Sequence, residues 1–201
     1  MNAPGPEGTS HPIRIGLPTG LPELVERIVT RAGGRRAVIV MDGGSGSGKT
    51  GLAAQLMHAL ETAGMTGLQL VHLDDVYPGW DGLSQASALV PQLLGPEDPH
   101  YWRWDWTGHH RTDRVCLDPA APLLVEGCGA LTPESAALAT TTMWLAGSAA
   151  SRKRAALDRD GELYAPHWDR WARQEREHWR HNHPRQLARV LLHWESQSGA
   201  D

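Results

Sequence analysis

Residues 43–50 read Gly43-Gly44-Ser45-Gly46-Ser47-Gly48-Lys49-Thr50, a complete G-x-x-x-x-G-K-T pattern. Glycines free the backbone to wrap so that successive N–H groups point inward, and a helix starting at the lysine adds partial positive charge at the same place. Such a loop cradles phosphate oxygens. Lys49 is placed to neutralise β- and γ-phosphates, and the Thr50 hydroxyl to bind Mg²⁺. The flanking segments are the ones this chemistry needs: the β-branched run RAVIVM before the loop, and Leu52, Leu56 and Leu60 on one helical face after it. A Gly/Ser loop that happens to precede a helix is the rival explanation, and the defining residues with both flanking elements outweigh it. A nucleoside triphosphate is the expected ligand.

The next informative stretch is Val71-His72-Leu73-Asp74-Asp75-Val76-Tyr77. An acidic residue at the carboxyl end of a strand sits at the mouth of an open sheet, where Asp74 can take the proton of a hydroxyl that attacks a γ-phosphate. A turn or helix cap would use the same aspartates, and the residues alone do not separate the two. His100-Tyr101-Trp102-Arg103-Trp104-Asp105-Trp106 is dense in aromatics and too irregular for a clean strand or helix face. It reads as an acceptor wall, with Trp faces against a flat or ring-shaped substrate while Arg103 and Asp105 grip hydroxyls or a charge. Part of the set must instead fill the core of a chain with 9 Trp and no Phe. Pro78–Gly82 reads as a tight turn carrying Trp80 to the edge of that pocket. His109-His110 and His178-x-x-His181-x-His183 match no zinc-ligand pattern. Trp168, Trp171 and Trp179 recur loosely at helical spacing, as for a helix packed on the core or on a second subunit.

These residues need a scaffold. Apolar spacing predicts helices over 21–32, 49–63, 83–94, 133–139, 149–160 and 165–181. Short buried runs predict strands over 36–41, 68–73, 123–126, 141–146 and 187–193, while 75–112 is irregular apart from its helix and the first ~20 residues form a loose or edge-lying flexible arm. Strands alternating with helices give one α/β domain over 1–201, a three-layer sandwich with a central parallel sheet. The stretch over 149–181 would be an Arg-rich lid and the helix after it, with a solvated basic face as the commoner use of such arginines.

Composition narrows the classes. With Lys+Arg 19 against Asp+Glu 23 the net charge is −4, which argues against a protein that coats nucleic acid. No apolar run has the length of a signal-peptide core or a membrane span, and Cys116 and Cys128 form no metal or disulfide framework. A cytoplasmic protein without a membrane or nucleic-acid partner is expected.

The DGGSGSGKT loop, the LDDVY segment, Trp104-Asp105-Trp106 with His109 and Arg111, the LLVEG strand end and the Arg152…Arg159-Asp160 helix follow one another over about residues 36–193. In that order they resemble the uridine kinase-like family of P-loop kinases, which includes phosphoribulokinase and bacterial pantothenate kinase. The resemblance implies that Asp74 is the general base, Tyr77 the tyrosine of a D-x-x-Y segment, and Asp105 and His109 part of the acceptor site. It also implies that Glu126 stands near Mg²⁺ and that Arg152 and Arg159 are lid arginines. Trp104 and Trp106 replace the family's Tyr and Phe, and Ala155 replaces a further lid arginine. The expected activity is ATP- and Mg²⁺-dependent transfer of a phosphoryl group to a hydroxyl of a small molecule, with a nucleoside-like acceptor leading. A sugar, a pantothenate-like acid, an antibiotic or a nucleoside monophosphate is the alternative within the fold. A nucleotide-dependent switch is the alternative outside it.

Overall fold

The computed structural model describes residues 11–195. Its strands are β1 (Ile13–Leu17), β2 (Val38–Asp42), β3 (Gln69–His72), β4 (His100–Asp105), β5 (His110–Cys116), β6 (Leu123–Glu126), β7 (Thr141–Ala146) and β8 (Val190–Trp194). Six of them form one sheet in the order β1-β8-β7-β2-β6-β3, and every pairing in it is parallel. The helices are α1 (Leu21–Ala32), α2 (Lys49–Thr62), α3 (Leu83–Leu94), α4 (Pro133–Leu138), α5 (Ala149–Tyr164), α6 (Trp168–Asn182) and α7 (Pro184–Leu187).

Side chains alternate across a strand, so each strand feeds two cores. Ile39 and Met41 of β2, with Leu124, Met143 and Leu192, pack on Leu24 and Ile28 of α1 and on Leu52, Leu56 and Leu60 of α2. Val38 and Val40, with Leu123 and Val125, face the opposite way onto Leu83, Val90 and Leu93 of α3 and Trp168 and Trp171 of α6. A strand buried on both faces has no polar side to alternate with, which is why β2 and β6 read as continuous apolar runs.

The first β-strand corrects one expectation. Of the segment expected to be a flexible arm, residues 13–17 pair in register with β8 at the edge of the sheet, Ile15 opposite Leu192. Residues 1–10 lie outside the described part. The stretch expected to be irregular holds a second correction, an antiparallel ribbon of β4 and β5 whose register slips between Trp102 and Trp104. Only Tyr101 of β4 is buried. With only Tyr101 and Val115 reaching the core and a slip in mid-strand, no clean alternation of apolar and polar residues marks that ribbon in the sequence.

β2 lies in the middle of the sheet, between β6 and β7. The loop that follows it therefore opens at the centre of the sheet's carboxyl edge, where β3, β6 and β7 also end. In open parallel sheets that edge is where ligands bind.

Candidate active site

The glycine loop is held from beneath by its own first turn. Asp42, fully buried at the end of β2, accepts from the backbone N–H groups of Gly43 (2.6 Å), Gly129 (3.1 Å) and Leu131 (2.9 Å). One carboxylate thus ties the loop to the segment after β6. Gly46 has φ +77°, and a Cβ there would stand 2.0 Å from the Arg152 carbonyl oxygen. Glycine is required here both for the left-handed backbone and for the close approach of α5.

Lys49 opens α2 and is buried, with Nζ 3.2 Å from the Gly44 carbonyl oxygen, to which it donates, and 3.5 Å from Cys128 Sγ. Burial alone would lower its pKa, but the acidic groups around it, Cys128, Glu126, Asp74 and Glu175, raise it. Lys49 therefore stays charged. Beside it the Thr50 hydroxyl donates to Glu126 Oε1 at 3.0 Å, and His72 Nδ1 lies 2.6 Å from the same oxygen. Burial pushes the Glu126 carboxyl up, yet the hydrogen bond from His72, the Lys49 charge and Thr50 bring it below its ordinary value. Glu126 is an anion held against the threonine.

These residues fit a phosphate chain and Mg²⁺. The Ser47 hydroxyl inside the loop is buried and has no hydrogen-bond partner among the described residues, a polar atom in want of a ligand. No group of three or more His, Cys, Asp or Glu among the described residues could hold a metal ion by itself. Mg²⁺ does not need one, since it keeps several waters and is held by one or two protein oxygens together with substrate phosphates. Thr50 and Glu126 would supply those oxygens.

Asp74 lies in a 3-10 turn directly after β3. It lines a cavity of about 740 Å³ together with Ser45, Tyr77, Trp80, Trp106, Thr107, His109, Arg159, Leu163, Tyr164, His167 and Trp171. Loss of hydration within the cavity and the Glu126 charge raise its pKa, against the pull of Lys49, Arg159 and His72. Among the residues expected from sequence, Asp74, Tyr77, Trp80, His109 and Arg159 share this cavity with the edge of the glycine loop. The Tyr77 hydroxyl is already committed, donating to the Cys128 carbonyl at 2.8 Å, so Tyr77 shapes the wall. Trp80 stacks on His167 (4.3 Å between ring centroids, 13° between planes) and on Tyr164 (5.3 Å, 17°).

Three residues of the aromatic segment stand elsewhere. Asp105 caps the turn of the β4–β5 ribbon, accepting from the Thr107 N–H at 2.8 Å. Arg103 faces Asp75 and Asp113 on the ribbon's flank. Trp104 does not line the cavity; Trp106 does, and its indole N–H donates to the Asp74 carbonyl at 2.8 Å. Trp106 lies past the end of β4, in the turn that leads to β5, and the turn rather than the strand carries it to the cavity wall.

Both ends of α5 touch the glycine loop. Near its start Arg152 is buried, donating to the Ser45 carbonyl (2.9 Å) and lying 3.3 Å from Glu175 Oε2. At its end the Tyr164 hydroxyl donates to Ser45 Oγ at 2.9 Å. Between them the helix kinks at Gly161. It arches over the cavity with Arg159 facing inward, whereas Arg152 is a buried buttress at the foot of the arch.

Glu175 and His178 are the site residues that sequence reasoning missed. The buried face of α6 is Trp168, Trp171, Glu175 and His178. A glutamate and a histidine at the spacing that continues a tryptophan stripe were the available signal, because polar side chains in a buried stripe must have partners. Glu175 accepts from the Ser45 N–H at 2.6 Å, and His178 Nε2 faces Asp42 at 3.4 Å.

No family model matches the chain, and no curated protein matches it in sequence. Solved structures match it in fold. A possible uridine kinase from Bacillus stearothermophilus superposes with a TM-score of 0.56 at 20% identity, covering 85% of this chain and 99% of its own. A candidate fructose transport system kinase from a Silicibacter species gives 0.53 at 19% identity, covering 87% and 98%. The chain shares the fold of these two structures, helices on both faces of a central parallel sheet. Among the described residues no helix is long and apolar enough to cross a membrane.

Proposed function

We propose that this protein is an ATP- and Mg²⁺-dependent kinase that phosphorylates a hydroxyl of a small molecule carrying a flat ring, a nucleoside or a nucleoside-like compound. One observation carries the reading: Asp74 and Ser45 of the glycine loop line the same cavity. A carboxylate and the end of a phosphate cradle facing one space leave room for an alcohol between a base and a terminal phosphate.

The chain's own residues divide the work. Backbone N–H groups of Gly43–Thr50 and the Lys49 ammonium hold the triphosphate and offset its charge. Thr50 and Glu126 would hold Mg²⁺, which would supply charge neutralisation for the phosphoryl group. His72 orients the Glu126 carboxylate that reaches Thr50. Asp74 takes the proton of the acceptor hydroxyl as its oxygen attacks the γ-phosphorus and the bond to the leaving diphosphate breaks. Loss of hydration and the Glu126 charge raise the pKa of Asp74 and so make it a stronger base, against the pull of Lys49 and Arg159. Arg159, on the arch of α5, is placed to meet charge on the phosphoryl group, and the arch excludes water that would otherwise be phosphorylated. Trp80, Trp106 and Trp171 give the cavity apolar walls that suit a ring.

ADP release measured with ATP·Mg²⁺ over a panel of nucleosides, sugars and vitamins tests this. Stimulation by one or more nucleosides at least tenfold over background is expected. Stimulation only by acceptors without a ring base would remove the nucleoside. No stimulation by any alcohol, with slow hydrolysis throughout, would remove the kinase.

A further inference from the structure

The glycine loop already holds an anion of its own. Glu175 reaches from α6 across the second core, is 2% exposed, and its Oε1 accepts from the Ser45 N–H at 2.6 Å. The Cys128 thiol donates to that same oxygen at 3.3 Å, and the Arg152 guanidinium lies 3.3 Å from Oε2. A short bond from a loop N–H to a carboxylate is the kind of contact this loop makes with phosphate oxygen.

Position along the loop shows which phosphate is concerned. Ser45 borders the cavity that holds Asp74. Gly46, Ser47 and Gly48 border a different cavity of about 670 Å³ at the far end, beside Trp194. The phosphate nearest the acceptor is the terminal one, so Ser45 marks the γ end of the cradle and Glu175 stands there.

Building on the kinase reading, we propose that Glu175 is a positioning residue that sets how the site distinguishes nucleoside triphosphate from diphosphate. Without a terminal phosphate its carboxylate satisfies the Ser45 N–H and the Arg152 charge and keeps the loop in its wrapped form. A γ-phosphate brings a second anion to the same N–H and the same guanidinium. The two like charges compete, Glu175 gives way, and Arg152 is released toward the phosphate. A diphosphate leaves the contact intact. Glu175 thereby weakens triphosphate binding selectively, keeps the buried Arg152 paired while the site is empty, and regains its contact with Ser45 when only diphosphate remains.

Glu175→Gln keeps the size of the side chain and an oxygen for the Ser45 N–H but removes the charge. Affinities of the Mg²⁺ complexes of ADP and of β,γ-methylene-ATP are measured by calorimetry on both proteins. Like charges a few ångströms apart in a partly buried site repel strongly, so the analogue is expected to bind the variant about tenfold or more tightly, with ADP changed less than about threefold. Equal changes for both ligands, or a selective loss for the analogue, would overturn the proposal and leave Glu175 as a structural support. A measurement on the wild-type protein does not depend on the variant folding. The Ser45 amide ¹H–¹⁵N resonance should move on adding the triphosphate analogue and hold nearly still with ADP, and the same shift with both would also refute it. If neither nucleotide binds the wild type, the kinase reading fails and takes this one with it. If both bind but no acceptor stimulates turnover, the kinase reading fails alone.

Discussion

Asp74→Asn is the substitution that separates binding from chemistry. The side chain keeps its size, its place after β3 and the backbone carbonyl that takes the Trp106 indole N–H. What it loses is the ability to accept a proton. Proton removal by a positioned base contributes about 10²- to 10⁴-fold, which is about 2.7–5.5 kcal/mol of barrier. The effect on nucleotide binding is smaller because two consequences oppose each other. Neutral Asn removes one of the anions that hold Lys49 charged, and it also removes a like charge from the neighbourhood of Glu126. Net affinity for ATP·Mg²⁺ should therefore stay within about threefold. The assay pairs calorimetric titration with ATP·Mg²⁺ and coupled ADP release with a stimulating acceptor. Turnover should fall by the full factor while binding holds. The pH profile gives an independent reading: loss of hydration within the cavity and the Glu126 charge raise the Asp74 pKa, so the wild-type rate should fall at acid pH through that raised value. The variant should lack that limb. Turnover within about threefold of the wild type, or an unchanged acid limb, would refute the role given to Asp74.

Three further substitutions address the rest of the site. Glu126→Gln weakens the anion that meets Thr50 and should raise the free Mg²⁺ needed for half-maximal activity about tenfold, read from activity against Mg²⁺ concentration; an unchanged requirement would detach Glu126 from the metal. Gly46→Ala drives a methyl group onto the Arg152 carbonyl in a left-handed backbone. It should abolish ATP binding and lower the melting temperature by about 5–15 °C, the effect of about 2–4 kcal/mol in a chain of this size. His72 has a pKa raised by its hydrogen bond to Glu126. The folded state thus holds that proton more tightly than the unfolded chain. The stabilisation is fully present below about pH 6.5 and is lost as pH rises through the raised value. His72→Gln should flatten the fall in stability across that window in urea titrations, and an unchanged slope would exclude His72 as its source.

The central elements were legible because buried parallel strands and phosphate loops leave dense local signals. β6 and β7 run over Leu123–Glu126 and Thr141–Ala146, as their apolar runs implied, and α1 spans Leu21–Ala32. The loop's chemistry was readable because each of its residues has a backbone or charge requirement that few others meet. The edges were less legible. β1 lies at the rim of the sheet, where burial is partial and Pro12, Gly16 and Pro18 suggest a turn. The ribbon of β4 and β5 touches the core chiefly through Tyr101 and Val115 and slips its register, so little periodicity survives in it. The tryptophans mark the same limit. Trp104 and Trp106 are equivalent by composition, and only the end of β4 at Asp105 decides that Trp104 stays in the ribbon while Trp106, in the turn beyond it, lines the cavity. Arg152 and Arg159 share one helix, and the approach of α5 at Gly46 decides that the first is buried under the loop and the second faces the acceptor space.

One helix joins the two halves of the site, and that has a mechanical consequence. α6 sends Glu175 and His178 to the glycine loop and its root, where Asp42 gathers three backbone N–H groups. From the same helix Gln174 donates to the Trp80 carbonyl at 2.7 Å and Arg170 pairs with Asp81, gripping the turn that carries Trp80. Trp171 packs edge-on against Tyr77 at 4.7 Å, on the wall beside Asp74. The glycine loop and the turn carrying Trp80 are thus held by one stiff helix, with no loop between the two contacts. Trp80 in turn stacks on Tyr164 and His167, the residues that close the arch of α5. The glycine loop, the wall beside Asp74 and the end of α5 are therefore packed into one unit through α6 and the Trp80 stack.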